Sequence, residues 1–278
     1  MAGDPRPPPV RCRGIGREEL AAGLRGLGVQ LGQHLLIHCS LRSIGPVGGG
    51  AATLLDAIRE AAGPRSTLVV PAQTTLNSLT ARAFMDATAG LDESGRARLV
   101  AAMPGFDPAL TPSTGMGAFA EYLRTRPAAT RSSHPQTSFA ALGPGAAACT
   151  SVHDLNCHLG ERSPLGWLYA NDAAILLLGV PYSACTAFHL AEYRLPDARP
   201  VKAYHCFTAG PDGREERVFT DIDLDDSDFE RLGTAMKETT SFVGHAQVGS
   251  GASRLLPLRA AVDFAGTWFQ GYRKQVRA

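Results

Sequence analysis

The chain of 278 residues carries 27 Lys+Arg against 26 Asp+Glu, with 44% hydrophobic and 19% charged residues. This balance excludes a disordered chain, and near-neutrality without a dense Lys/Arg run excludes the electrostatic footprint of a nucleic-acid binder. The length predicts a substantial core in one large domain or two modest ones. Residues 1–16 are Pro-rich and hold Arg6, Arg11 and Arg13 with no apolar stretch behind them, which predicts a flexible N-terminus and no secretory signal. Leu20, Leu24 and Leu27 recur at helical spacing over 17–27. His34–Ser40 (HLLIHCS) then reads as a buried strand, 41–50 (LRSIGPVGGG) as a loop, 51–62 as a helix stopped by Gly63-Pro64, and 66–72 as a second strand. Strand, glycine loop, helix, strand is the pattern of a βαβ unit with parallel pairing.

Periodicity weakens from Gln73 to Pro112, which predicts a lid, a binding segment or an inserted surface loop. A helix follows over 115–126, a short strand over 137–142, and a helix from Ser163-Pro164 through Tyr169 with Ser as cap. The longest apolar run, Ala173–Val180, is eight residues, too short to span a bilayer, and reads as a buried strand leading into a short helix over 186–194. Two strands, 201–209 and 214–220, flank the turn signal Gly210-Pro211-Asp212-Gly213. A helix over 227–239, a strand over 242–248 and a helix from Leu258 to about Tyr272 complete the chain. The expected fold is α/β, three layers around a central mixed sheet, with a small antiparallel hairpin region toward the C-terminus. Residues 17–278 form a single domain, expected in the cytoplasm, without membrane or nucleic-acid partners.

Five segments can carry chemistry. Ser40–Gly50 sits between strand and helix, where glycines let N–H groups approach an anion and Ser40, Arg42 and Ser43 add donors. It is neither a Walker A loop nor G-x-G-x-x-G. His189 and Glu192 share one helix face, so the carboxylate can orient the imidazole as a general base. Arg131 can reach a phosphate or lie on the surface. His153, Asp154, Cys157 and His158 invite a zinc reading, although their spacing fits no closed motif. The acids Asp221, Asp223, Asp225, Asp226, Asp228 and Glu230 read as a solvated face or a helix start. Six cysteines, Cys12, Cys39, Cys149, Cys157, Cys185 and Cys206, lack any regular spacing and read as reduced thiols; Cys39 and Cys185 lie close enough to these segments for an acyl-cysteine to be conceivable.

The ordered set IHCSLRSIGPVGGG, PSTGMG, RSSHPQTSFAALG, LGERSPLGWL, ILLLGV and TAFHLAEY resembles the aminoglycoside 3-N-acetyltransferase family over about residues 30–270. The resemblance implies acetyl transfer from acetyl-CoA, as co-substrate and without a metal, to the 3-amino group of the 2-deoxystreptamine ring of an aminoglycoside. It implies His189 as catalytic base with Glu192 beside it, and attack within a ternary complex. It places CoA on Ser40, Leu41, Arg42, Ser43, Val47, Gly48 and Gly49, and on the segment holding Phe106, Pro112, Ser113, Thr114, Met116 and Gly117, with Arg131 added here. A polycationic substrate calls for local carboxylates, and Asp154 and Glu161 are expected to supply them, with Asn156 and Tyr193 as neutral contacts. Residues 80–105 match nothing in the family pattern. Two alternatives remain at this level: a CoA-dependent acetyltransferase of the same fold acting on another amine, and a zinc-dependent hydrolase.

Overall fold

The computed structural model describes residues 14–197 and 199–277. The Pro-rich stretch 1–13, which includes Cys12, lies outside the described residues. The elements in chain order are α1 (Arg17–Leu27), β1 (Leu35–Cys39), α2 (Leu41–Ile44), α3 (Gly50–Ala62), β2 (Leu68–Pro71), α4 (Arg82–Thr88), α5 (Glu93–Ala102), α6 (Ala118–Arg124), β3 (Thr130–Arg131), β4 (Phe139–Leu142), α7 (Ala146–Thr150), α8 (Pro164–Ala170), β5 (Ala174–Leu178), α9 (Phe188–Tyr193), β6 (Val201–Gly210), β7 (Gly213–Ile222), α10 (Phe229–Thr239), β8 (Gly244–Val248), β9 (Gly251–Pro257) and α11 (Leu258–Arg277). Gly14–Gly16 are tied down rather than free: Ile15 bridges Val47, and its N–H donates to the Pro46 carbonyl at 2.8 Å.

Seven strands form a mixed sheet in the order β3-β4-β2-β1-β5-β9-β8. β1 pairs in parallel with β2 on one side and β5 on the other, while the outer pairs are antiparallel. The strand alternation explains why β1 and β5 are apolar at nearly every position. Leu35, Ile37, Leu176 and Leu178 pack into one core with α1, α3 and α6, while Leu36, Ile175 and Leu177 pack into the other with α8–α11. Both faces are covered, giving the three-layer α/β/α architecture.

Two expected loops hold more structure than periodicity indicated. Ser40 caps the single turn α2 by accepting the Ser43 N–H at 3.2 Å. Segment 73–112 contains α4 and α5 and is pinned by the hairpin. Asn77 donates to the carbonyls of Pro135 and Phe207, and Phe106 bridges Thr208. The hairpin β6–β7 pairs continuously from Val201↔Ile222 to Gly210↔Gly213 and stands apart from the main sheet. Among the described residues, no helix is long and apolar enough to cross a membrane.

Candidate active site

Strands β1 and β5 are neighbours, yet the chain leaves β1 through α2 and α3 toward one face and leaves β5 through α9 toward the other. A crevice opens at the carboxyl ends of such a pair. Here it is a cavity of about 530 Å³, lined by His38, Cys39 and Ser40 at the end of β1, Pro71 and Gln73 at the end of β2, and Val180 and Ser183 to Thr186 after β5. Gly115–Gly117, Thr137, Leu159, His189, Leu224, Asp226 and Phe229 close its walls. Gly117 has φ +85°, and a Cβ there would sit 3.0 Å from the Cys39 carbonyl oxygen, so only glycine lets this segment lie against the end of β1.

α9 buries one face completely and turns His189 toward the cavity. His189 Nδ1 lies 2.5 Å from Glu192 Oε2, three residues along the helix, and the imidazole packs 4.7 Å from the Phe229 ring. With Nδ1 so engaged, Nε2 is the nitrogen left for chemistry. Glu192 is fully buried, and its other oxygen, Oε1, accepts hydrogen bonds from Arg199 Nη2 at 3.1 Å and from Arg273 Nη1. Arg273 in turn forks onto Asp228 through Nε and Nη2, each at 2.6 Å, and donates to the Asp225 carbonyl. Neither arginine emerged from the sequence, because both lie outside the local spacing that made His189 and Glu192 visible.

Burial sets the protonation of other groups on the wall. His38 is desolvated and pushed down to about 3, so it is a neutral imidazole, with Nε2 3.4 Å from Thr186 Oγ1. Burial pushes the Cys39 and Cys185 thiols up to about 12, which removes the thiolate an acyl-cysteine would need.

The glycine loop carries anion-binding geometry. Gly49 precedes α3 with φ +82° and no side chain caps the helix; the Gly50 N–H is taken by the Val47 carbonyl, which leaves those of Ala51 and Ala52 available to an anion. Arg42 is exposed, with no side-chain partner among the described residues. Ser40 and Ser43 hydroxyls lie 2.8 Å apart beside it. Of the residues expected to bind CoA, Ser40, Met116 and Gly117 line the cavity; Leu41, Arg42, Ser43, Val47, Gly48 and Gly49 form the turn and loop running on from Ser40. Ser113 donates from N and Oγ to Glu121, and Thr114 bonds Gln73 and Thr75. Phe106 is buried against the hairpin. Arg131 is a correction: its guanidinium is spent on the carbonyls of Ala72, Pro108 and Thr111 and on Ser138 Oγ, and stacks 4.9 Å from the Phe106 ring. Four of its five N–H donors go to the fold, which leaves a single Nη2 N–H.

The four expected substrate contacts lie outside the cavity lining. Asp154 pairs with Arg162, Glu161 pairs with Arg194, Asn156 is exposed, and Tyr193 donates to Asp221 at 2.6 Å; none of the four lines the cavity. The cavity's carboxylate is Asp226, exposed and with no side-chain partner among the described residues. Its neighbours in the acidic run are committed elsewhere, Asp223 to Lys202, Asp228 to Arg273 and Glu230 to the Ser183 N–H.

The ring nitrogens of the His-rich segment are committed as well. His153 bonds Ser132 Oγ and the His158 carbonyl, and His158 bonds Asp221 Oδ2 at 2.7 Å and Gln136 Oε1. His134 stacks against both rings, 4.7 and 4.5 Å away. This is a hydrogen-bonded core cluster, and the zinc reading finds no converging lone pairs in it. Among the described residues, no group of three or more His, Cys, Asp or Glu side chains is placed to hold a metal ion.

A family model described as aminoglycoside 3-N-acetyltransferase matches residues 36–270. The chain is 34% identical over 256 residues to YokD, an SPbeta prophage-derived aminoglycoside N(3')-acetyltransferase-like protein of Bacillus subtilis, covering 91% of this chain and 92% of that one. It is also 34% identical to aminoglycoside N(3)-acetyltransferase VII of Streptomyces paromomycinus, over 92% of each chain. Among solved structures, AAC-IIIb in binary complex with CoASH superposes with a TM-score of 0.81 at 27% identity, covering 92% of this chain and 96% of that one. AAC-VIa bound to sisomicin superposes at 0.80 and 29% identity, covering 92% and 98%.

Proposed function

The chain belongs to the aminoglycoside 3-N-acetyltransferase family, and from that premise we propose that it moves the acetyl group of acetyl-CoA to the 3-amino group of a 2-deoxystreptamine ring, with His189 as general base in a ternary complex. Membership makes the protein an acyltransferase acting on aminoglycosides, which acetylation inactivates. The amine, the residue roles and the order of events are the proposed part. The observation that carries them is His189 on the cavity wall with its Nδ1 held by Glu192 at 2.5 Å.

Free Nε2 is the lone pair that takes a proton from the attacking amine, and buried Glu192 steadies the imidazolium that results. The amine nitrogen bonds to the thioester carbonyl carbon, the C–S bond breaks, and the departing thiolate takes the proton back from His189. CoA thiol and the acetamide are the products. Thiolate leaves readily, so no enzyme-bound acyl group is required, in keeping with the burial of Cys39 and Cys185. The Thr186 hydroxyl, held by neutral His38, and the loop N–H groups of Val47 and Gly49 are the donors proposed for the oxyanion; the Gly48 N–H is taken by the Ile15 carbonyl.

The uncapped start of α3, the glycine loop and unpaired Arg42 suit the CoA phosphates and pantetheine, with Ser40, Met116 and Gly117 along the tunnel. The CoASH-bound and sisomicin-bound relatives support a donor and an aminoglycoside in this fold. Asp226 is the carboxylate proposed to meet an ammonium of the substrate. The test is thiol release from acetyl-CoA with kanamycin-, gentamicin- and neomycin-type compounds, and with simple amines, followed by identification of the acetylated nitrogen. Acetylation at N3 of the deoxystreptamine ring supports the proposal; turnover confined to an unrelated amine, or acetylation at another nitrogen, overturns it.

A further inference from the structure

A buried His–Glu dyad on its own carries a net negative charge, and low dielectric then favours the imidazolium over the neutral base that catalysis needs. Around His189 the charges are arranged differently. Glu192 and Asp228 supply two negative charges, and Arg273 and Arg199 supply two positive ones, all four side chains at least nine-tenths buried. We propose that Arg273, on α11, is a positioning residue that offsets carboxylate charge behind Glu192 and holds Glu192 on His189, so that the imidazole is presented as the proton acceptor. The inference rests on His189 being the base.

The guanidinium does two things at once. Its Nε and Nη2 grip both oxygens of Asp228 at the start of α10, and its Nη1 reaches Glu192 on α9, so three helices are locked by one planar fork. That grip turns Glu192 Oε2 toward His189 Nδ1. It also withdraws negative charge from the dyad, because Glu192 Oε1 faces two cations while Oε2 faces the imidazole.

Other titratable groups face the dyad and its arginines. His38, from β1, is neutral through burial. Asp225 meets Arg273 through its carbonyl; against the effect of burial, Ser227 and the charges of Arg273 and Arg199 hold its carboxylate below the ordinary range, so it adds a negative charge beside the two arginines. Asp226 lies on the exposed cavity side, and Phe229 presents an uncharged ring.

The experiment is the pH profile of kcat/KM for an accepted aminoglycoside, at saturating acetyl-CoA, in the parent enzyme and four variants, with thermal melting and acetyl-CoA affinity as checks on folding. The substrate's own ionisation is common to all of them. Arg273→Met removes one positive charge from beside Glu192, so the acid limb moves up by about one to three pH units. Activity on the parent's acid limb falls about tenfold or more and largely recovers at high pH. Asp228→Asn removes one negative charge and moves the limb the other way, which keeps the test alive if Arg273→Met does not fold. The pair Arg273→Met with Asp228→Asn restores the parent's net charge and returns the limb toward the parent position. Arg273→Lys keeps the limb and lowers the plateau, because the fork is lost while the charge stays. A uniform loss at every pH with unmoved limbs in all variants would show a merely structural role and overturn the proposal. Normal turnover in His189→Ala is a different outcome: it removes the base itself and with it the reading on which this one rests.

Discussion

Lowering the pH from 7.5 to 5 should strip much of this protein's stability, and three buried histidines allow the size to be worked out. His38, His134 and His153 are desolvated in the folded chain, His38 down to about 3, His153 to about 4 and His134 well below its ordinary value. In the unfolded chain each titrates near 6.5. A folded-state value below the unfolded one means that protons favour unfolding, so the stability these groups contribute is intact above about pH 6.5 and is lost as the pH falls. At pH 5 each unfolded histidine gains about 1.5 units of proton-binding free energy, about 2 kcal/mol, while folded His38 and His153 still bind almost no protons. These two amount to about 4 kcal/mol, against a total of roughly 5–15 kcal/mol for a domain, and His134 adds to the loss in the same direction. Carboxylates held low, such as Asp221 and Glu121, add their own loss only further down, near the ordinary carboxylate range. Urea unfolding at pH 7.5, 6.5, 5.5 and 5 measures the slope, to which His38 and His153 together contribute about 3 kcal/mol per pH unit below pH 6. His153→Gln should remove about 1.4 kcal/mol per pH unit of it. Stability that stays flat between pH 7.5 and 5 would refute the claim that these rings are buried and neutral.

Four substitutions probe the site itself. Cys39→Ala and Cys185→Ala should leave turnover near the parent value, since neither thiol ionises near neutrality; a loss on the order of 10⁴-fold or more in either would instead mark a covalent nucleophile. Gly49→Ala forces a side chain into φ +82° and brings its Cβ within 2.4 Å of Thr53 Oγ1. It should cost about 1–3 kcal/mol in unfolding free energy and raise KM for acetyl-CoA more than for the aminoglycoside. Asp226→Asn should raise KM for the aminoglycoside about 10- to 100-fold and flatten its salt dependence, the loss of one charge-assisted contact; unchanged KM would remove Asp226 from the substrate site.

What could be read from the chain follows the range of the interactions involved. β1 and β5 were legible because strands covered on both faces are continuously apolar, and α1 and α3 because each buries a single stripe. α5 was not, because only Gly95 is buried and no stripe exists; its one local signal is Asp92, whose carboxylate caps the Gly95 N–H. β9 was missed because it runs directly into α11 at Pro257 with no intervening turn. His189 and Glu192 were legible through their spacing of three on one helix. Arg273, 81 residues from Glu192, was invisible to any local pattern. Asp154 and Glu161 misled for the same reason in reverse: whether a carboxylate meets a substrate or a neighbouring arginine is decided in three dimensions, and Arg162 and Arg194 claim these two.

The central claim is that His189, oriented by buried Glu192, takes the proton from the attacking amine. Its most direct test is the rate of acetyl transfer to an accepted aminoglycoside by His189→Ala, measured alongside acetyl-CoA affinity. A fall in kcat of about 10²- to 10⁴-fold with affinity for acetyl-CoA preserved is the predicted result. Transfer at close to the parent rate would contradict it.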